Sequence, residues 1–507
     1  MFREVKFKMK KLLVLLLTIS IAFSTLCVTA FAETAGDTGA TAVEETKVVE
    51  SLVGAFYLQG ESGAGAMGGG GTFTSTHDYF VADKFAERLT GTDKIPFYAY
   101  DKDGSVFFDS YAEKYFYSEM GLAKKAGIDF FAYNLYMGYN AKDKTLIKMN
   151  TQLTYHVSKY YLLEDKVNFA VVIDGHFQAS KAAERDILIE RILTHKGYQT
   201  AADGRPVVFI VWNENIADQI TRINKDISRL KSTNALDESV EAMYVIALNA
   251  PSYAEAIAVG CDAISYTEGS GKNNEAYTSM TAKVEANWAN GDKVVPNIVT
   301  GFDKTLVAGD KAIEVSALKT STSKETEVVY ARSGAADDVV AKATPAELVE
   351  HAKKAIATTN KPEDFKAVMF YAWDDFLGGA FLCPTKTDKA FQYDTSYVTA
   401  LREYFYGKTS GMAALTVLDN EGFYVTTEEN GTVTKTNVKG EVVTKVDKDG
   451  NNLLTSENNG GDEIPGAIQG DDFTLYIIIG AAAVVVIAVV VIVIVVAGKK
   501  KKAAKSE

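Results

Sequence analysis

Between about Val53 and Phe405, short apolar runs alternate with stretches whose apolar positions recur every three or four residues. That alternation predicts an α/β fold with parallel strands. Eight runs qualify as strands: 53–58, 128–133, 169–173, 207–211, 242–247, 263–266, 294–299 and 367–372. Their near-continuous Val, Ile, Phe and Ala content suits strands covered on both faces. Between them, Ile216, Ile220, Ile223, Ile227 and Leu230 make one apolar stripe, which predicts a helix. Ser252 with Glu255, and Thr344 with Pro345 and Glu347, have the form of helix-start caps. Gly127 and Gly260 each precede an apolar run, where a helix must stop and turn into a strand. Eight strand–helix units in roughly 350 residues predict a (β/α)8 TIM barrel over 51–408 with insertions.

Outside the barrel the pattern changes. After Tyr406 it dissolves into Thr, Asn, Lys and Gly with short alternating segments, so 409–472 is expected to be a small β-rich or stalk region. Lys6, Lys8, Lys10 and Lys11 precede an apolar stretch that ends in Ala30-Phe31-Ala32. Residues 1–32 therefore read as a secretory signal peptide, and 33–50 as a disordered linker. From Leu475 to Ala497 no charge interrupts the chain. At a rise of about 1.5 Å per residue that run spans a hydrocarbon core of about 30 Å, so 473–498 is expected to be a single transmembrane helix. Lys499 to Lys502 follow it, which puts the tail 499–507 in the cytoplasm and the barrel outside, on a single-pass cell-membrane protein.

The charge balance narrows the partners. The formal charge is −13, and the leader and the tail are both basic, so the part between them carries about −21. Such a surface repels nucleic acid, and nucleic-acid binding is not expected. Past the leader only Cys261 and Cys383 remain, too few for a disulfide scaffold or a cysteine metal site.

In a barrel the strand C-termini build the active site. Here they offer Glu61; Asn134 and Tyr136; Asp174 and His176; Trp212 and Glu214; Tyr266 and Glu268; Asp303; and Trp373, Asp374 and Asp375. Aromatic faces stack on sugar rings and carboxylates bind hydroxyls, so the ring predicts a cleft for a polysaccharide or other glycan. Cleaving a glycosidic bond needs two carboxyl groups, one protonated and one ionised. Several of these residues also have structural readings. Asp374 and Asp375 could cap the following loop, Asp303 could form a turn after Gly301, and Glu214 could complement the dipole of the helix that Ile216 opens. Asp174 with His176 is a weak basis for a metal, and none is expected.

Three stretches carry a resemblance: Lys124-Lys125-Ala126-Gly127-Ile128-Asp129-Phe130-Phe131-Ala132-Tyr133, Pro296-Asn297-Ile298-Val299-Thr300-Gly301-Phe302-Asp303, and Tyr371-Ala372-Trp373-Asp374-Asp375-Phe376-Leu377-Gly378-Gly379. They resemble the glycoside hydrolase family 99 and 71-like (WbsX-like) group, which includes endo-acting α-mannosidases and α-glucanases on (β/α)8 barrels. The resemblance implies a glycoside hydrolase, endo-acting on an α-linked mannan or glucan. That group ends its eighth strand in Asn-Glu-Trp-x-Glu-Gly, with the two glutamates as the catalytic pair. Asp375 stands at the first glutamate, so the resemblance implies that it is catalytic; Gly378 stands at the second. The partner is then to be sought elsewhere, at Glu268, Asp303, Glu214 or Glu61, or else the barrel binds glycans without cutting them.

Two motifs are set aside. Gly63-x-Gly65-x-x-Gly68 follows a strand, but the glycines and threonines after it cannot readily open the helix that a dinucleotide fingerprint requires. Asp447-x-Asp449-x-Asn451 begins like a calcium loop but has Asn452 where the glycine should be. No cofactor is expected.

Overall fold

The structure is a computed structural model. It describes residues 46–454 except 59–88, 90–91, 103–104, 109–112, 136, 141–144, 150, 164–165, 174–181, 234–239, 241, 268–274, 304–312, 319–323, 331–338, 341, 377, 388–391, 419–422 and 438–439. The chain divides into two compact units, 1–47 and 48–507, and of the first only Thr46 and Lys47 are described.

The second unit is built on strands β1 (Leu52–Tyr57), β2 (Phe130–Asn134), β3 (Asn168–Ile173), β4 (Val207–Val211), β5 (Tyr244–Leu248), β6 (Ala263–Ser265), β7 (Val294–Val295 and Asn297–Val299) and β8 (Ala367–Tyr371). Each pairs in parallel with the next, and β8 pairs with β1, Leu52 opposite Ala367. The seventh strand closes the ring by serving both neighbours. Its first half pairs with β6, Ile264 opposite Val294, and its second half with β8, Asn297 opposite Met369. The break falls at Pro296, which has no N–H to give the ladder. Its carbonyl still accepts from the Met369 N–H at 2.9 Å, so the strand stays attached.

Among the described residues eight α-helices alternate with the strands: α1 (Glu113–Lys125), α2 (Thr151–Lys159), α3 (Ala182–Ile187), α4 (Ile216–Ser232), α5 (Tyr253–Ala258), α6 (Tyr277–Asn287), α7 (Pro345–Ala357) and α8 (Ser396–Tyr406). The chain is thus a (β/α)8 barrel, as the apolar runs predict. The α4 stripe is buried at all five expected positions. Thr344 makes a full capping box with Glu347, and the Ser252 side chain accepts from the Glu255 N–H. Long insertions separate β1 from α1 and β7 from α7; the second contains an antiparallel hairpin, Ile313–Leu318 with Lys324–Tyr330.

Inside the barrel, the rings of Phe56, Phe209 and Tyr371 meet across the axis, 5.5 and 6.0 Å apart. A lower layer holds Phe130 against Phe365, with Gly54 leaving the space that Phe130 and Met369 fill.

The entries into β2 and β6 are built alike, half a barrel apart. Each helix before them ends with a glycine in the left-handed region, Gly127 (φ 86°) and Gly260 (φ 95°), and an N–H bond five residues back, Ile128 to Ala123 and Cys261 to Ala256. This is the Schellman stop. Two residues after each glycine an aspartate grips the preceding strand, Asp129 on the Val53 N–H and Asp262 on the Val245 N–H, both at 2.8 Å.

After α8, strands β9 (Leu415–Leu418), β10 (Tyr424–Thr427), β11 (Val433–Thr436) and β12 (Val442–Val446) form an antiparallel meander. It docks on α1, where the Thr416 N–H donates to Ser118 Oγ. Asp447 closes a turn by accepting from the Asp449 and Asn451 N–H groups. Among the described residues no helix is long and apolar enough to cross a membrane. The segments expected to be leader (1–32) and membrane helix (473–498) lie outside the described residues, as does the Gly63-to-Gly68 motif.

Gly127 and Gly204 share a φ of 86° but differ in surroundings: a Cβ on Gly127 would fall 2.6 Å from Cδ2 of Phe405, and one on Gly204 would meet nothing within 4 Å. Gly204→Ala should cost about 1–2 kcal/mol for the backbone alone. Gly127→Ala should cost about 1–3 kcal/mol more for overpacking. Urea unfolding of the two variants checks the difference; equal losses would mean that the Phe405 contact relaxes freely.

Candidate active site

The C-terminal rim is most fully built where β7 and β8 end. The chain leaves β8 through a cis peptide between Tyr371 and Ala372 and forms a tight hairpin, with Asp374 opposite Phe381 and Asp375 opposite Ala380. Two adjacent glycines make that turn possible. Gly379 lies in the left-handed region (φ 70°), and Gly378 leaves room for the Asp375 carboxylate, which folds back to accept from the Gly378 N–H at 3.0 Å. A Cβ on Gly378 would fall 2.5 Å from Oδ2 of Asp375. A side chain where the resembled group has its second glutamate would therefore have to displace the Asp375 carboxylate.

Asp303 approaches the same turn from β7. Its N–H donates to the Gly378 carbonyl at 2.7 Å, and a Cβ on Gly379 would lie 2.9 Å from the Asp303 Cβ. The Asp303 backbone is thus hydrogen-bonded to the turn that follows Asp375. Lys94, from the insertion after β1, pairs with Asp303 Oδ2 at 2.5 Å.

Behind the hairpin lies a polar cluster sealed in the helix layer. Glu119 of α1 is wholly buried. It accepts from Tyr57 Oη at 3.0 and 2.9 Å, one distance to each carboxyl oxygen, and from Trp373 Nε1 at 3.2 Å; the Cys383 thiol lies 3.9 Å away. Asp374, next to Trp373, accepts from the Leu58 N–H at 2.7 Å. The ends of β1 and β8 are thus tied to each other and to α1. Burial pushes the Glu119 carboxyl up to about 8; its hydrogen bonds pull the other way and nearby Asp374 adds to the rise. Burial likewise raises the Cys383 thiol and the Tyr57 and Tyr133 hydroxyls. Leaving the Tyr57 and Trp373 donors without an acceptor would cost about 1–3 kcal/mol each.

The remaining rim residues are spread around the mouth. Asn134 is half-buried at the end of β2. Trp212 follows β4, half-buried, its N–H on the Leu248 carbonyl. Glu214 is exposed in the turn before α4. Tyr266 is half-buried and its hydroxyl accepts from Asn290 at 3.3 Å. Trp373, Asp374 and Asp375 are buried. Glu61, Tyr136, Asp174, His176 and Glu268 lie outside the described residues. Among the described residues no group of His, Cys, Asp and Glu is arranged to hold a metal ion.

Glu119 and Lys94 were not among the sequence candidates. Glu119 carried a signal, since it falls on the apolar stripe of Tyr115, Phe116, Leu122 and Ala123, where a charge has to find a partner. Lys94 carried none. By contrast, His156 is a satisfied core histidine, between Tyr133 Oη at 2.9 Å and the Val167 carbonyl at 2.7 Å, and burial pushes it down to about 3.

No family model matches the chain, and no curated protein matches it. Among solved structures it is similar to one titled glycoside hydrolase-like protein, with 14% identity, 70% of this chain and 94% of that chain covered, and a TM-score of 0.43. It is also similar to the GH99 endo-alpha-mannosidase from Bacteroides thetaiotaomicron, with 11% identity, 70% of this chain and 97% of that chain covered, and a TM-score of 0.42. A second structure of that enzyme, in complex with Bis-Tris propane, aligns with a TM-score of 0.40, 11% identity, and 70% and 96% of the two chains covered. The barrel assignment itself rests on the strand order and its closure at β7.

The Glu119 shift sets a pH dependence. The folded chain keeps a proton on Glu119 that the unfolded chain releases near 4.5. Its contribution is complete below that value and is lost as the pH rises through about 8. Glu119→Gln has no such proton to lose. Its stability relative to the parent should therefore rise by on the order of a few kcal/mol between pH 5 and pH 8. Thermal unfolding across that range checks it, and parallel curves would contradict a protonated Glu119.

Proposed function

We propose that the chain is a glycoside hydrolase, endo-acting on an α-linked polysaccharide of the mannan or glucan type, with Asp303 and Asp375 as its acidic pair. The observation that supports this reading is the hydrogen bond from the Asp303 N–H to the Gly378 carbonyl, which joins the chain after β7 to the turn after Asp375 on the rim where barrels place their chemistry. Glycosidase pairs stand roughly 5 to 10 Å apart, and this turn allows that spacing. Lys94 pairs with Asp303 at 2.5 Å, a cation beside the first carboxylate of the pair. Asp375 supplies the second acid/base carboxyl group. The α-linked, endo-acting preference is supported by the three stretches that resemble the family 99 and 71-like group. Placement on the outer face of a membrane is supported by the basic, apolar leader and by the apolar run before Lys499.

A second reading, glycan binding without cleavage, is favoured by one observation: Asp375 is fully buried and its carboxylate is held by the Gly378 N–H. Release of reducing ends from α-mannans and α-glucans by the full-length chain separates the two. The hydrolase reading expects turnover that Asp375→Ala and Asp303→Ala each lower by about a hundredfold or more. Saturable binding of the same glycans without turnover would remove the hydrolase and leave the binding protein.

A further inference from the structure

We propose that Glu119 is a positioning residue for the β8 rim: by accepting from Tyr57 and Trp373 it fixes the end of β1 to the end of β8 and so sets where Asp374 and Asp375 stand. It resides on a helix behind the barrel, but the two donors it holds belong to the strands that carry the site. The path is short. Trp373 adjoins Asp374, which grips the Leu58 N–H next to Tyr57, and Asp375 follows in the hairpin. Glu119, Tyr57, Trp373, Asp374 and Asp375 are all buried, so water cannot readily substitute for a partner lost among them.

The groups facing the cluster make the arrangement responsive to protonation. From β1 comes Tyr57, from β2 Tyr133, and from the β8 hairpin Asp374 and the Cys383 thiol. Tyr98, from the insertion after β1, acts on Tyr57. From α2, His156 is tied to Tyr133 and the Val167 carbonyl. From α8, Arg402 turns to the carbonyls of Lys125 and Ser410. An ionised Glu119 accepts from Tyr57 and Trp373 at full strength, whereas a protonated one holds them more weakly. The rim therefore has two states, exchanged near the pH at which Glu119 titrates, about 8.

Its catalytic consequence rests on the Asp303–Asp375 reading, but its structural test does not. The chain has three tryptophans, Trp212, Trp288 and Trp373. Fluorine NMR of the full-length chain labelled with 5-fluorotryptophan, with signals assigned through Trp212→Phe and Trp288→Phe, follows Trp373 directly. We expect its resonance to titrate with a midpoint near 8, the titration to vanish in Glu119→Gln, and the midpoint to move up by about one pH unit in Tyr57→Phe, which removes a donor to the charged form. A Trp373 resonance that does not move between pH 6 and 10 would overturn the proposal. So would one whose midpoint is the same in Tyr57→Phe, a variant that serves should Glu119→Gln fail to fold. If the chain turns over glycans, kcat should follow the same midpoint at unchanged KM, and a flat kcat would overturn the catalytic consequence alone. If it has no turnover, the hydrolase reading falls while the fluorine titration still decides the role of Glu119.

Discussion

Everything on the rim depends on one strand serving two neighbours. A parallel sheet of this size left open would expose two edges of unpaired N–H and C=O groups. Strand β7 removes both edges, pairing with β6 through Val294 and Val295 and with β8 through the residues after Pro296. The change of partner at the proline divides the strand, and the closed ring aims the C-termini of all eight strands at one face. Asp303 stands near Asp375 because β7 and β8 are adjacent in that ring.

The β7–β8 rim also shows how packing and chemistry compete for the same atoms. At Gly378 the Asp375 carboxylate fills the space a side chain would take. The same hydrogen bond that makes the turn stable holds that carboxylate inward. On the other side of the hairpin, Trp373 reaches back to Glu119, so the rim is anchored from behind by a buried acid and in front by an ion pair at Asp303. Support of this kind positions the rim groups, as a site that holds its geometry to within a fraction of an ångström requires.

Much of the barrel was legible in the sequence because its signals are local. Strands covered on both faces are apolar throughout; the α4 stripe repeats at helical spacing; and the Thr344 box and the Gly127 and Gly260 stops involve residues close together in the chain. The rim was less legible because its determinants are distant. Tyr57 lies 62 residues from Glu119, Trp373 lies 254, and Lys94 reaches Asp303 across 209. No spacing rule links such pairs. The burial of Asp375 was equally hidden, since the sequence shows a carboxylate at a strand end but not the glycine turn that folds over it. The hairpin between Ile313 and Tyr330 lies in the long β7–α7 segment, where Ile313, Val315 and Ala317 alternate with polar residues, a weaker strand signal than the apolar runs of the barrel.

The central claim is that ligand meets this molecule at the turn shared by β7 and β8. A crystal structure of the chain with an α-linked manno- or gluco-oligosaccharide tests it most directly. The account predicts a sugar ring seated over Gly378 and Gly379 within hydrogen-bonding reach of the Asp303 or Asp375 carboxylate. A sugar bound elsewhere on the barrel, or an empty mouth at saturating oligosaccharide, would contradict it.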